Sequence, residues 1–394
     1  MVSTENLLEN LMAANPAAFG EVLKNRDSMR VQIVYTRIDR DKKNRPHFTD
    51  YYFNVKNDLY FYPASMVKMP VAFLALEKLN QLGIPRNTTM CTEKGSAGQT
   101  VVYNDPTTPD GRPTPEHYIK KIFLVSDNDA NNRLYEFLGQ QYLQDHLSKK
   151  GYKDAQIIRR LAITMSEDQH RTTNPLSFRD SSGKIIYEQP QFVSTYNYLV
   201  RDQKLGKGYI NDQNAQVNEP FDFSRKNRIY LNDLHQVLRS VLFPESVPKK
   251  QRFDLTADDY RFLYKYMSQL PSETKFPEYD TTEFYDSYCK FLMFGTQKHK
   301  PLPKQIRSFN KVGWSYGFLT DVAYIVDFEK NVEFMLSATI YCNADGILND
   351  DKYDYDAVGL PFLEQLGQTI YNYELKRERQ HQPNLSKYKV QYDK

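Results

Sequence analysis

The chain has 394 residues and a mass of 46.3 kDa, enough to bury a sizeable core in two or more packed units. Apolar residues make up 40% and charged residues 26%, an ordinary globular balance. Fifty-two Lys and Arg against 49 Asp and Glu leave a net charge of +3, so no strong field for polyanions exists and no nucleic-acid partner is expected.

The N-terminal residues 1–20 lack a basic stretch, and Glu9 and Asn10 interrupt their apolar run, so no signal peptide is expected within this chain. Residues 5–23 read as helix, apolar at Leu7, Leu8, Leu11, Met12 and Phe19 and kinked or split at Pro16. Residues 31–38 and 50–55 read as two strands of a hairpin around the polar stretch 39–46, and Tyr60-Phe61-Tyr62 is a further strand-like run. Val71, Leu74, Ala75 and Leu79 repeat at helical spacing within 70–82. The apolar run at 71–76 is far too short to span a bilayer. Residues 117–125 and 130–138 read as helices flanking a polar turn, and 231–242 and 257–270 as two more. The runs 321–327 and 332–341 are β-rich, 361–376 is an amphipathic helix, and 377–394 reads as a polar tail. Two long polar stretches, 179–227 and 271–309, have little periodicity; loops of that length usually serve function or decorate a fold. The order predicts an α/β (α+β) protein. Its sheet domain is assembled from residues 1–62 together with 305–394, and 63–304 form an inserted helical domain with long insertions.

Cys91, Cys289 and Cys342 lie far apart with no CxxC, and no histidines form an HxxxH pair. No disulfide framework, metal site or cofactor is therefore expected.

Three short patterns carry chemistry. Ser65 and Lys68, in Ser65-Met66-Val67-Lys68, stand one helical turn apart. A serine hydroxyl needs an adjacent base to become a nucleophile, and a lysine serves if burial and nearby positive charge keep it neutral. The pattern SxxK is cheap: it starts at Ser65, Ser181, Ser246, Ser272, Ser287, Ser308 and Ser386, seven times in all. Ser65 differs in having the aromatic run before it and a long apolar helix after it. The bland alternative is a capping serine with a surface lysine. Ser126-Asp127-Asn128 falls between two helical patterns and is either a cap for the following helix or a proton relay with a substrate-binding amide. Lys311-Val312-Gly313, followed by Trp314, opens the late β-rich region, where a glycine lets another backbone approach a strand edge; KxG also occurs at Lys149 and Lys204. The bland alternative there is a lysine on a solvated edge.

Together, in this order and with 126 − 65 = 61 residues between the first two, the patterns resemble the class A β-lactamases and penicillin-recognising serine hydrolases over most of the chain. The resemblance implies the family's antiparallel sheet, flanked by helices, plus the helical insert. It implies Ser65 as acylated nucleophile, Lys68 as proton acceptor or organiser, Ser126 as relay to the leaving group and Asn128 as ligand for the acyl side-chain amide. Lys311 would hold the substrate carboxylate, Gly313 would permit close approach, and the backbone N–H groups of Ser65 and Trp314 would form the oxyanion hole. The best match to the family's deacylating base is Glu167, with a loop carboxylate paired to Arg171 as the alternative.

Two departures bear on substrate. The family has Thr or Ser where this chain has Val312, and Asn where it has Arg171. Three readings follow: a β-lactamase, a peptidase or esterase of the same fold acting on a cell-wall peptide or ester, and a slow-turnover penicillin-binding or sensor protein. The partner implied is a small-molecule or peptide substrate, with no membrane span and an open oligomeric state. The resemblance places the protein in the periplasm or outside the cell, and the three cysteines favour a reducing compartment.

Overall fold

The computed structural model describes residues 6–96 and 98–394. In chain order these form α1 (Leu7–Ala13), α2 (Pro16–Lys24), β1 (Gln32–Arg40), β2 (Pro46–Phe53), a 3₁₀ turn (Ala64–Val67), α3 (Lys68–Leu82) and β3 (Thr89–Thr92). There follow α4 (Pro115–Val125), α5 (Asn128–Lys149), α6 (Glu167–Arg171), β4 (Leu176–Arg179) and β5 (Ile185–Gln189). Four strands of two or three residues come next: β6 (Lys204–Leu205), β7 (Gly208–Ile210), β8 (Gln216–Val217) and β9 (Phe221–Asp222). The chain then forms α7 (Leu231–Leu242), α8 (Ala257–Ser268), a turn α9 (Phe291–Phe294), β10 (Ile306–Ser315), β11 (Phe318–Asp327), β12 (Val332–Tyr341), β13 (Ile347–Leu348) and α10 (Leu360–Lys376).

The chain divides into two compact units. The first comprises Met1–Met66, Leu199–Leu238 and Asp286–Lys389; the second comprises Val67–Tyr198, Arg239–Tyr285 and Val390–Lys394.

The first unit is built on a five-stranded antiparallel sheet in the order β10-β11-β12-β1-β2. Strands β11 and β12 are buried almost throughout, as sheet strands covered on both faces must be. One face carries a core of Val312, Leu319, Ala323, Ile325, Phe334, Leu336 and Ala338, packed with Leu8, Met12, Phe19, Leu363 and Leu366. Because side chains alternate along a strand, Lys311 and Gly313 belong to the opposite face.

In the second unit α3 is buried along nearly its whole length, and α5 carries Ala130, Leu134, Phe137 and Leu138 into the interior. This unit also carries a small antiparallel sheet, β3-β4-β5, which the sequence reading did not foresee because Leu176–Arg179 is short and Ile185–Gln189 is an exposed edge.

The opening helix splits at Pro16 as expected, and its expected first residue, Glu5, lies outside the described residues. Several other expectations are corrected. The second strand runs Pro46–Phe53 rather than 50–55; proline is tolerated there because β2 is the sheet's edge. Tyr60-Phe61-Tyr62 is buried but irregular, not a strand; its rings pack on loop aromatics, Tyr62 against Phe223 and Tyr316. Residues 377–394 are no free tail. Leu385 and Tyr388 are buried, Arg377 bonds Asp39, and Lys265 binds Asp393 at 2.5 Å. No helix among the described residues is long and apolar enough to cross a membrane.

Candidate active site

Between Tyr60 and Glu77 every residue is buried except Ser65, which is half-exposed. It lies in the 3₁₀ turn, and the residue before it, Ala64, has a φ of +46°, a left-handed conformation that costs energy for any residue with a Cβ. Such strain persists where surrounding structure over-determines it, and here it brings a hydroxyl to the surface of an otherwise sealed segment. Within the same unit, a Cβ on Gly313 would stand 2.6 Å from the Pro63 carbonyl oxygen and 3.0 Å from Met66 Cγ. The glycine therefore admits the turn that carries Ser65 against β10.

Lys68 opens α3 and is completely buried. Its Nζ donates to Asn128 Oδ1 at 2.7 Å, to Ser126 Oγ at 3.2 Å and to the Ser126 carbonyl. Two of the sequence patterns thus meet around one nitrogen. Ser126 itself has a φ of +60° as the residue closing α4, which turns its carbonyl and hydroxyl to the same lysine. The helix cap is Asp127, whose carboxylate accepts from Ala130 N at 2.7 Å. The capping reading therefore holds for the middle residue of the triplet, while the outer two hold Lys68.

Lys311 is also buried, and its Nζ donates to the Val312 carbonyl at 2.7 Å. Burial pulls its ammonium down to about 8. The solvated-edge alternative for this lysine is thereby corrected, although β10 is an edge strand. Trp314 is half-buried, its ring edge-on to Tyr288 and Phe291.

Glu167 begins α6, a single turn with a Ser166–Gln169 capping box, and pairs with Arg171 Nη2 at 3.3 Å. The segment is held from below by a fully buried ion pair of Glu136 and Arg160. Arg160 donates to the carbonyls of Gln169 and Thr172 at 2.7 Å each, and Glu136 accepts from Asn174 N.

Sequence reasoning missed a network on the core face of β10. Asp321, opposite Val312 in the register, accepts from Asn310 Nδ2 at 2.8 Å and Leu292 N at 3.0 Å. Lys290 Nζ binds Asn310 Oδ1 at 2.6 Å and the Ser308 carbonyl at 3.1 Å. Burial pushes the Asp321 carboxyl up to about 6. The available signal was Lys290, the lysine of one of the six other SxxK matches, Ser287–Lys290: its pattern marks a structural bond donor.

The model of the beta-lactamase enzyme family matches residues 19–373. The chain belongs to that family. Solved structures agree on the fold: a β-lactamase from Xanthomonas campestris, 13% identical, superposes with a TM-score of 0.50 over 94% of this chain and 100% of that one. A class A β-lactamase reconstructed as the last common ancestor of Gram-negative bacteria is 15% identical, with a TM-score of 0.49 over 93% and 99%. The chromosome-encoded β-lactamase of Vibrio parahaemolyticus is 13% identical, with a TM-score of 0.48 over 91% and 98%. No curated protein matches the chain in sequence. Family membership and fold thus bear out the resemblance at the level of a β-lactamase-family enzyme.

Proposed function

We propose that this β-lactamase-family chain is a serine hydrolase that forms an acyl-enzyme on Ser65 and opens β-lactams. The observation that carries the reading is the buried Lys68 Nζ held by Ser126 Oγ and Asn128 Oδ1. A lysine shielded from water and followed along one hydrogen-bond chain by a second hydroxyl is suited to take a proton and pass it on.

In this mechanism Lys68 starts neutral, its two N–H groups on Asn128 Oδ1 and the Ser126 carbonyl. As Ser65 Oγ attacks the lactam carbonyl its proton goes to the lone pair of Lys68, and the third bond, to Ser126 Oγ, forms with the ammonium so made. The backbone N–H groups of Ser65 and Trp314 stabilise the oxyanion, and Ser126 returns a proton to the departing nitrogen as the ring opens. Lys311 holds the substrate carboxylate and Asn128 the acyl side-chain amide. Glu167 then deprotonates the water that releases the acyl group. A periplasmic or secreted place of action belongs to the same reading; all three cysteines are buried and outside any disulfide.

A second reading, a peptide or ester substrate on the same nucleophile, is favoured by the placement of position 312: buried on the core face, it brings no hydroxyl to a substrate carboxylate whichever residue stands there. The test is turnover of a chromogenic cephalosporin by the purified protein, with the labelled residue mapped by mass spectrometry after a fluorescent penicillin. Turnover with a label on Ser65 supports the first reading. Labelling without turnover, alongside cleavage of an ester or peptide, supports the second. A label on another serine, or full labelling of Ser65→Ala, overturns both.

A further inference from the structure

The second unit contains a cavity of about 390 Å³, lined by Lys78 of α3, by Leu138, Tyr142 and His146 of α5, and by Pro190 and Phe192. Its wall includes Gly139, whose φ of +71° and ψ of 159° break α5. The side chain that stands out is Lys78. Its Nζ donates to Gln189 Oε1 at 2.8 Å and to the Phe137 carbonyl, and it lies 4.3 Å from the Phe137 ring centroid and 5.2 Å from that of Tyr142. An ammonium has three donors, so one N–H remains. Burial alone sets its acidity, lowering it to about 8 with no carboxylate opposing the shift.

A cation drawn out of water without a counter-charge is costly unless something compensates it. The aromatic faces compensate in part. The rest of the cavity surface is apolar at Leu138, Pro190 and Phe192, with Tyr142 stacked on His146 at 3.7 Å. Asp145 also lines the cavity, its Oδ1 held by Gln141 Nε2 at 3.0 Å, and repels a second negative charge.

We propose that this cavity binds a small organic monocarboxylate with a flat apolar body, its carboxylate on the third N–H of Lys78 and its body against Leu138, Tyr142 and Phe192. A pocket of this size, largely apolar with few polar groups, suits a ligand of one or two rings. The competing role for Lys78 is purely structural: a clamp on the Phe137 carbonyl beside the helix break. That role predicts no preference among ligands.

The test is calorimetric titration of the full chain with benzoate and with its neutral isostere benzamide. Benzoate should bind at least about tenfold more tightly than benzamide, an advantage of the size expected for one charge-assisted hydrogen bond. Lys78→Met should level the two, and Lys78→Gln, which keeps a donor for Phe137, should do the same. Gln141→Trp, which fills the cavity and leaves Lys78 in place, should weaken both. Other cations, Lys311 among them, also attract carboxylates, so the decisive quantity is the benzoate preference lost on changing Lys78. Equal binding of the two ligands by the unaltered protein, or a preference that survives both Lys78 variants, overturns the proposal.

Discussion

The Pro63 carbonyl oxygen lies 2.6 Å from where a Cβ on residue 313 would be, so the turn presenting Ser65 and the strand carrying Lys311 meet backbone to backbone at Gly313. Real Cβ atoms do not approach an oxygen so closely. Gly313→Ala must therefore move that turn, and a displacement near 1 Å at a reacting group costs on the order of 10²-fold in rate. The expected outcome is a fold retained by circular dichroism and acylation by a fluorescent penicillin slowed about a hundredfold. Acylation within a factor of two of the unaltered protein would mean that the contact serves packing alone.

Lys68 should be indispensable for the first chemical step. General-base contributions run to roughly 10²–10⁴-fold, so Lys68→Met should lower the acylation rate by that much at neutral pH. Lys68→Arg should not rescue it, since a guanidinium does not give up its proton. Stopped-flow labelling of each variant measures the step directly, and near-normal acylation by Lys68→Met would assign the base to another group.

Most of this arrangement was legible in the sequence because helices and motifs are local. Periodicity located the helix after Lys68, and the Ser-Asp-Asn triplet fell, as read, between two helices. The fold followed from β-type runs at both chain ends. What was not legible depends on partners distant in sequence. Tyr60–Tyr62 has strand-like composition, yet its rings pack on residues from 223 and 316, and no strand among the described residues pairs with it. The polar 377–394 segment reads as a tail until Leu385 and Tyr388 are seen buried. Which face of β10 is the core face cannot be read from Lys-Val-Gly-Trp, because both faces are covered and alternation of polarity is lost.

The acidity of Lys311 predicts a pH limb. Burial lowers its folded value to about 8 from an ordinary 10.5. If its charge holds the substrate carboxylate, kcat/KM for β-lactams should fall as pH rises through about 8, while neutral esters lacking a carboxylate should show no such limb. Lys311→Arg should carry the limb out of range, since arginine stays charged. The stability sign is opposite: between about pH 8 and 10.5 the unfolded chain binds the extra proton, so this group makes folding more favourable as pH rises across that window. A limb that persists unchanged in Lys311→Arg would belong to another residue.

Glu136 and Arg160 form an ion pair with both side chains completely buried, and Arg160 also bonds the two carbonyls that shape the Glu167 segment. Removing one partner of such a pair strands the other charge, which typically costs about 3–5 kcal/mol. Glu136→Gln should lower unfolding stability in urea by that amount. A loss under 1 kcal/mol would show that Arg160 is satisfied by the carbonyls alone.

Position 312 reverses an expectation drawn from the family pattern. With only the sequence in hand, valine replaces a threonine whose hydroxyl binds the substrate carboxylate, so Val312→Thr should raise β-lactam activity at least about tenfold. The structure puts Val312 on the core face of the sheet, completely buried among Leu319, Leu336 and their neighbours, while alternation assigns Lys311 and Gly313 to the other face. A threonine here would point its hydroxyl away from Lys311. Burying that hydroxyl costs about 1–3 kcal/mol without a partner, and the nearest acceptor by register is the carboxylate of Asp321 directly across the strand pair. A bond to Asp321 would bring the cost to the low end of that range without touching catalysis. Val312→Thr should therefore lose stability in urea and leave kcat/KM on β-lactams within about twofold. A tenfold rise in that rate would mean the hydroxyl reaches substrate after all, and the assignment of faces along β10 would have to be abandoned.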